Sequence, residues 1–244
     1  MEVALSGDRS CVLSTRLGPA TYVFAVAHGF GSIDGMPPAR LALQRLRAEF
    51  ERRSRGDRFR RAQARPKAIT SALIAAIARV NGDLHVRSAS HEDYITAGCS
   101  LTAALVIDER AYLAHVGTSA AYLSRDGYVL GLTKEDAFDA GGSAVLTRAV
   151  GIAPHLEVAV CNFTLNPGDA LVLSGQRIRD AEDRRRLTER LLFGPALASK
   201  DDVLVVRYDR ADDALAQNIP PRLWLVLANG LLATAAFYTA LCLR

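Results

Sequence analysis

The chain has 244 residues, half of them apolar and 23% charged, with a formal net charge of +4. That length buries a substantial core, the composition excludes a disordered chain, and so small a charge does not by itself argue for nucleic acid. Four cysteines at 11, 99, 161 and 242 form no CxxC pair, which argues against a disulfide framework or a zinc site and fits a reducing cytosol. No basic stretch followed by an apolar run stands in "MEVALSGDRS", so no secretory signal is expected.

The first apolar run, "TYVFAVA" (21–27), is β-branched and aromatic and predicts a strand. It runs into a turn holding His28, Gly29, Gly31 and Gly35. A G-x-G-x-x-x-G between strand and helix raises a phosphate cradle, but no acid-tipped second strand follows, and a tight turn is the more economical reading. "PPARLALQRLRAEFERR" (37–53) has helical spacing with proline at its start. "PKAITSALIAAIARVNG" predicts a second helix, stopped at Asn81-Gly82. Between them lies the arginine-rich segment 53–67, read as a solvated loop, with anionic lipid headgroups as the alternative contact; one aromatic, Phe59, offers little for nucleic-acid stacking, and no nucleic-acid partner is expected.

Six strands are predicted next, in 100–108, 111–117, 120–133, 156–165, 169–175 and 202–209, with an Asp-Gly hairpin turn at 126–127. Short helices are expected in 143–150 and 180–193. His115 lies on an apolar strand and reads as a hydrogen-bonded core residue, and Ser174 has no G-x-S-x-G elbow around it. Residues 210–222 are polar with a Pro-Pro pair and read as a linker, which makes 1–209 one domain. Leu223 to Leu243 is 21 residues without an ionisable side chain, flanked by Arg222 and Arg244. As a helix it would be about 31 Å long, enough for a bilayer, so a C-terminal tail anchor is expected: a single-pass membrane protein with its domain in the cytoplasm.

Four segments in order resemble the metal-dependent protein serine/threonine phosphatases of type 2C (the PPM family) in their compact bacterial form. They are "VFAVAHGFGS", "AGCSLTAALVIDERAYLAHVGTSAAYLSRDGYVLGLTKED", "VLTRAVGIAPHLEVAVCNFTLNPGDALVLSGQ" and "KDDVLVVRYD". The resemblance implies an α+β fold, a four-layer αββα sandwich of two antiparallel sheets flanked by helices. It also implies two or three manganese or magnesium ions held by aspartates and a backbone carbonyl, with a metal-bound water attacking phosphoserine or phosphothreonine.

Carried over position by position, the acids are missing. His28 stands where the family has an aspartate, beside Gly29, whose carbonyl the family uses as a ligand; Thr118 and Gly175 replace two further aspartates. Asp201 alone is kept, with Asp202 in the place of an adjoining asparagine, and Arg9 stands near the family's phosphate-binding arginine. The flap between "LTKED" and "VLTRAVG" is cut to "AFDAGGSA". These departures imply vestigial metal-pocket positions at His28, Gly29, Thr118, Gly175 and Asp201, no catalytic residue and no cofactor, unless a single softer ion sits between His28 and Asp201. The expected function is a membrane-tethered pseudophosphatase, a binding or regulatory module for a phosphoprotein or kinase-pathway partner in signalling. The alternative is an active serine/threonine phosphatase with a reduced metal site.

Overall fold

In the computed structural model, residues 3–6, 9–55, 65–89, 97–141, 144–178, 203–209 and 222–228 are described. Three strands, β1 (Val3–Ser6), β2 (Ser10–Gly18) and β3 (Thr21–Phe30), lead into two helices, α1 (Pro38–Ser54) and α2 (Pro66–Ala89). Then come β4 (Gly98–Ile107), β5 (Arg110–Val116), β6 (Ala120–Arg125) and β7 (Tyr128–Gly131). A small hairpin of β8 (Ala137–Asp139) and β9 (Ala144–Leu146) follows, and β10 (Ala159–Thr164), β11 (Ala170–Ser174), β12 (Val203–Asp209) and β13 (Arg222–Ala228) complete the order.

Two antiparallel sheets result, one ordered β1-β2-β3-β4-β5-β10 and the other β13-β12-β11-β6-β7. Side chains alternate along each strand, so each sheet offers two faces. On β2, β3 and β4 of the first sheet, odd-numbered positions such as Leu13, Val23, Ala25, Leu101 and Ala103 meet Leu43, Leu46 and Phe50 of α1 and Ile69, Leu73 and Ile77 of α2. Even-numbered positions, among them Val12, Phe24, Val26, Ala104 and Val106, meet Leu123, Leu171, Leu173, Leu204 and Val206 of the second sheet. Helices, sheet and sheet are therefore three of the four expected layers; the helix expected in 180–193, which would supply a fourth, lies outside the described residues. The Asp126-Gly127 turn is as expected, with φ +51° and +80°, the left-handed pair that a two-residue hairpin matches to strand twist.

Three expectations are corrected. The second helix does not stop at Asn81-Gly82 but continues to Ala89, because Asn81 makes tertiary bonds instead of a cap: its Oδ1 accepts from the Gly151 N–H at 2.8 Å and its Nδ2 donates to the Ala153 carbonyl at 2.8 Å. The short helix expected in 143–150 is instead strand β9, followed by a bridge of Val150 to Cys99. The transmembrane helix expected from Leu223 is replaced at its start by β13, which pairs antiparallel with β12 from Val203↔Ala228 to Asp209↔Arg222. The first residues of the apolar run satisfy their backbone groups on a sheet edge rather than within a helix. Among the described residues, no helix is long and apolar enough to cross a membrane. Residues 210–221 of the expected linker, and 229–244, lie outside the described residues.

Candidate functional site

Strand register builds a polar row at one end of the sandwich. Ser10 of β2 pairs with His28 of β3, which pairs with Ser100 of β4. All three continue the even-numbered face that packs between the sheets, one step beyond Val12, Val26 and Thr102. The row therefore lies where the intersheet core ends.

His28 is half-buried, and its Nδ1 lies 2.6 Å from the Ser10 Oγ. Its Nε2 faces the more exposed side, 3.5 Å from the Gln176 Nε2. Burial, and then the positive charge of Arg9, hold the imidazole below its ordinary pKa and keep the ring neutral at pH 7. Arg9 is exposed, and its carbonyl accepts the Gly29 N–H at 2.7 Å. Gly29 itself backs onto the start of α1, where an added Cβ would lie 3.0 Å from the Ala39 nitrogen. The glycine lets helix and strand end approach closely.

Thr118 is brought to Ser100: the Ser100 Oγ accepts the Thr118 N–H at 2.9 Å and lies 3.1 Å from its Oγ1. Gly117 makes this approach feasible, with φ +96° and a Cβ position only 2.4 Å from the Ser100 Oγ. Gly175 is buried directly after β11, and the neighbouring Ser174 Oγ donates to the Gln176 carbonyl. Thus the structure gathers His28, Gly29, Thr118 and the Gly175-Gln176 turn, with Arg9 beside them. Asp201 lies outside the described residues; Val203, the first residue of β12, pairs with Ser174 at this same end.

A second row lies beneath. Thr102 Oγ1 is 2.9 Å from the His115 Nδ1 and 2.7 Å from the Ser119 Oγ, and His115 Nε2 donates to the Lys134 carbonyl at 3.0 Å. His115 is a buried, hydrogen-bonded residue, held below its ordinary pKa chiefly by burial. Asp136, just before β8, accepts the Gly117 N–H at 3.0 Å and the guanidinium of Arg148 just after β9, and Arg148 also reaches Glu157 at 2.7 Å. Sequence reasoning missed Ser100, Asp136 and Arg148. An acid and an arginine bracketing a short glycine-containing segment were the only signal for the latter pair.

The donors gathered here are an imidazole, hydroxyls and amides. Among the described residues, no three His, Cys, Asp or Glu side chains converge. Hard divalent ions select several anionic oxygens, so this set does not by itself make the paired-ion carboxylate site that the resemblance implies.

The family model of protein phosphatase 2C matches residues 19–137. A curated relative, the serine/threonine phosphatase Stp of Listeria monocytogenes, is 25% identical over 151 residues, 55% of this chain. The match spans 60% of that relative's length. Among solved structures, the Mycobacterium tuberculosis serine/threonine phosphatase PstP/Ppp aligns with TM-score 0.53 at 22% identity, covering 81% of this chain and 96% of its own. Stp1 of Staphylococcus aureus aligns with TM-score 0.60 at 14% identity, covering 84% and 90%. Phosphatases of this family depend on manganese or magnesium, which overturns the expectation of no cofactor: the relatives point to a bound metal ion. The chain is thus similar to protein phosphatase 2C over residues 19–137 and shares the fold of the solved phosphatases.

Proposed function

We propose that the chain is a protein serine/threonine phosphatase working at the sandwich mouth with a reduced metal site. The observation that carries this reading is the orientation of His28, with Nδ1 occupied by Ser10 and Nε2 toward the opening, at a position that the resemblance aligns with a metal ligand. A hydrogen bond on one ring nitrogen orients the other for use, as second-shell partners of metal-bound histidines do. His28 and Asp201 would hold the ion, which when bound supplies an activated water and offsets phosphoryl charge. The chain's own groups do the rest. Arg9 contributes positive charge beside the mouth, and the Thr118 hydroxyl, held by the buried Ser100, offers a donor to phosphoryl oxygens.

The neutral side chains at 28, 118 and 175 favour a second reading, a pseudophosphatase that holds a phosphoprotein of a signalling pathway without turning it over. One experiment separates the two. The full chain is incubated with manganese, magnesium or zinc and a phosphothreonine peptide, and both phosphate release and peptide binding are measured. The first reading expects release that His28→Ala lowers about 10–100-fold, the usual loss when a metal site's ligand shell is damaged. Binding without release under all three ions supports the second reading, and absence of both overturns the two together.

A further inference from the structure

Far from the mouth, three guanidinium groups converge on one carboxylate. Glu49 on α1 is 6% exposed, and its Oε1 accepts from Arg52 Nη2 and Arg53 Nε at 2.7 Å each. Arg52 Nε adds a second bond to Oε2 at 3.1 Å, and Arg79 Nε of α2 stands 3.8 Å from the same oxygen. The spacings explain the convergence: Arg52 and Arg53 follow Glu49 by three and four residues on the same helix face, and Arg79 arrives from the packed neighbour.

Charge does not balance there. Burial works against the Glu49 anion, yet the donors of Arg52 and Arg53 outweigh it and hold its carboxyl below the usual range. Three cations around one anion leave an excess of two. Among the described residues, the neighbouring acids do not relieve it: Glu51 pairs with Arg47 at 2.7 Å, and Asp83 lies 4.0 Å from Arg45. Arg52 and Arg79 have side chains 62% and 67% exposed, and among the described residues both Nη groups of Arg53 and of Arg79 bond nothing. Glu49 thus acts as a buried anchor that fixes guanidinium groups while leaving N–H donors without a partner among the described residues. An anion that docks there meets side chains already ordered, which removes part of the entropy cost of binding them.

We propose that this Glu49-centred arginine cluster is a phosphate-binding site, separate from the mouth, that fits a phosphorylated protein segment. The planar forks match the oxygens of a phosphate dianion, and an excess of two positive charges matches its charge. Convergence on a single carboxylate favours one discrete dianion over a broad anionic surface. Pro38, the first residue of α1, packs at Gly29 beside the mouth, and Glu49 is eleven residues further along, about 17 Å away. The anion site stands on the cluster's geometry alone; the choice of a phosphorylated protein as its source rests on the phosphatase reading.

The test reads the cluster directly and needs no turnover. The arginine Nε–Hε resonances of the full chain are followed by NMR during titration with inorganic phosphate, then with a phosphoserine peptide, then with vesicles of anionic and neutral phospholipid. Saturable shifts of the Arg52, Arg53 and Arg79 signals are expected, tighter for the peptide than for free phosphate. The double variant Arg52→Gln with Arg79→Gln should weaken binding at least about tenfold while its amide spectrum stays folded, because both side chains are largely exposed. Lysine at both positions should restore only part of the loss, since charge returns without the fork. Non-saturating shifts, or unchanged affinity in the glutamine variant, overturn the site. Tighter binding to anionic vesicles than to the peptide overturns the phosphorylated-protein partner and replaces it with a membrane surface. Loss of phosphatase turnover with the shifts intact would sink the catalytic reading and leave this one standing.

Discussion

His28 and His115 lie on the same sheet face one row apart, and each titrates below an ordinary histidine because burial disfavours its charged form. The sign of the consequence follows from proton counting. Between the lowered folded value and the ordinary 6.5, the unfolded chain binds more protons than the folded one, so stability rises with pH across that window. The contribution is fully present above 6.5 and is lost as pH falls through the folded value. Glu49 loses support on the same side at lower pH, since its lowered pKa stabilises fully only above the ordinary glutamate value and the effect fades as pH falls through the folded one. Urea midpoints measured from pH 7 down to pH 5 should therefore decline, and His115→Gln should flatten that decline. An unchanged slope in this variant would show that His115 is not the group responsible.

At the base of the β8–β9 hairpin, two bonds join it to Gly117 beside the mouth and a third closes it on itself. Asp136 N–H donates to the Gly117 carbonyl, its carboxylate accepts the Gly117 N–H, and its carbonyl accepts the Thr147 N–H. Arg148 closes the arrangement from the other side. The carboxylate is buried, so removing its charge leaves a guanidinium and an amide undersatisfied. Asp136→Asn should cost about 1.5–3 kcal/mol in chemical denaturation, the range for hydrogen bonds to a charged group. A double-mutant cycle with Arg148→Met should be non-additive, because the two side chains share the interaction. Additive losses would mean that the two ends of the hairpin are held independently. The α2 helix illustrates the opposite balance: Gly82 costs about 1 kcal/mol relative to alanine within a helix, yet Asn81's bonds to Gly151 and Ala153 and the burial of Leu84 carry the helix through it.

Two hydrophobic layers, one under the helices and one between the sheets, share the first sheet as a common wall. Phe24 fills the inner layer at 2% exposure and stacks on Tyr22 two residues before it, with centroids 6.1 Å apart. Because that layer joins both sheets, Phe24→Ala should destabilise the whole domain by about 3–5 kcal/mol, visible as a shifted denaturation midpoint with an unchanged slope. A loss below 1 kcal/mol would show that the intersheet layer repacks freely.

Composition, β-branched runs, proline at the start of α1 and the Asp126-Gly127 turn made most strands and the helix pair legible, since each is a property of neighbouring residues. The motif order also made legible the resemblance to protein phosphatase 2C, whose family model matches residues 19–137. The Ser10–His28–Ser100 row was not legible, because register joins positions 18 and 72 residues apart that no local pattern pairs. Nor was the fate of Arg222–Ala228, since an apolar run satisfies its backbone equally well inside a helix or on a sheet edge, and only the open side of β12 decides between them. Glu49's three arginines divide the same way: the two on its own helix follow from spacing, and Arg79 is supplied by packing alone.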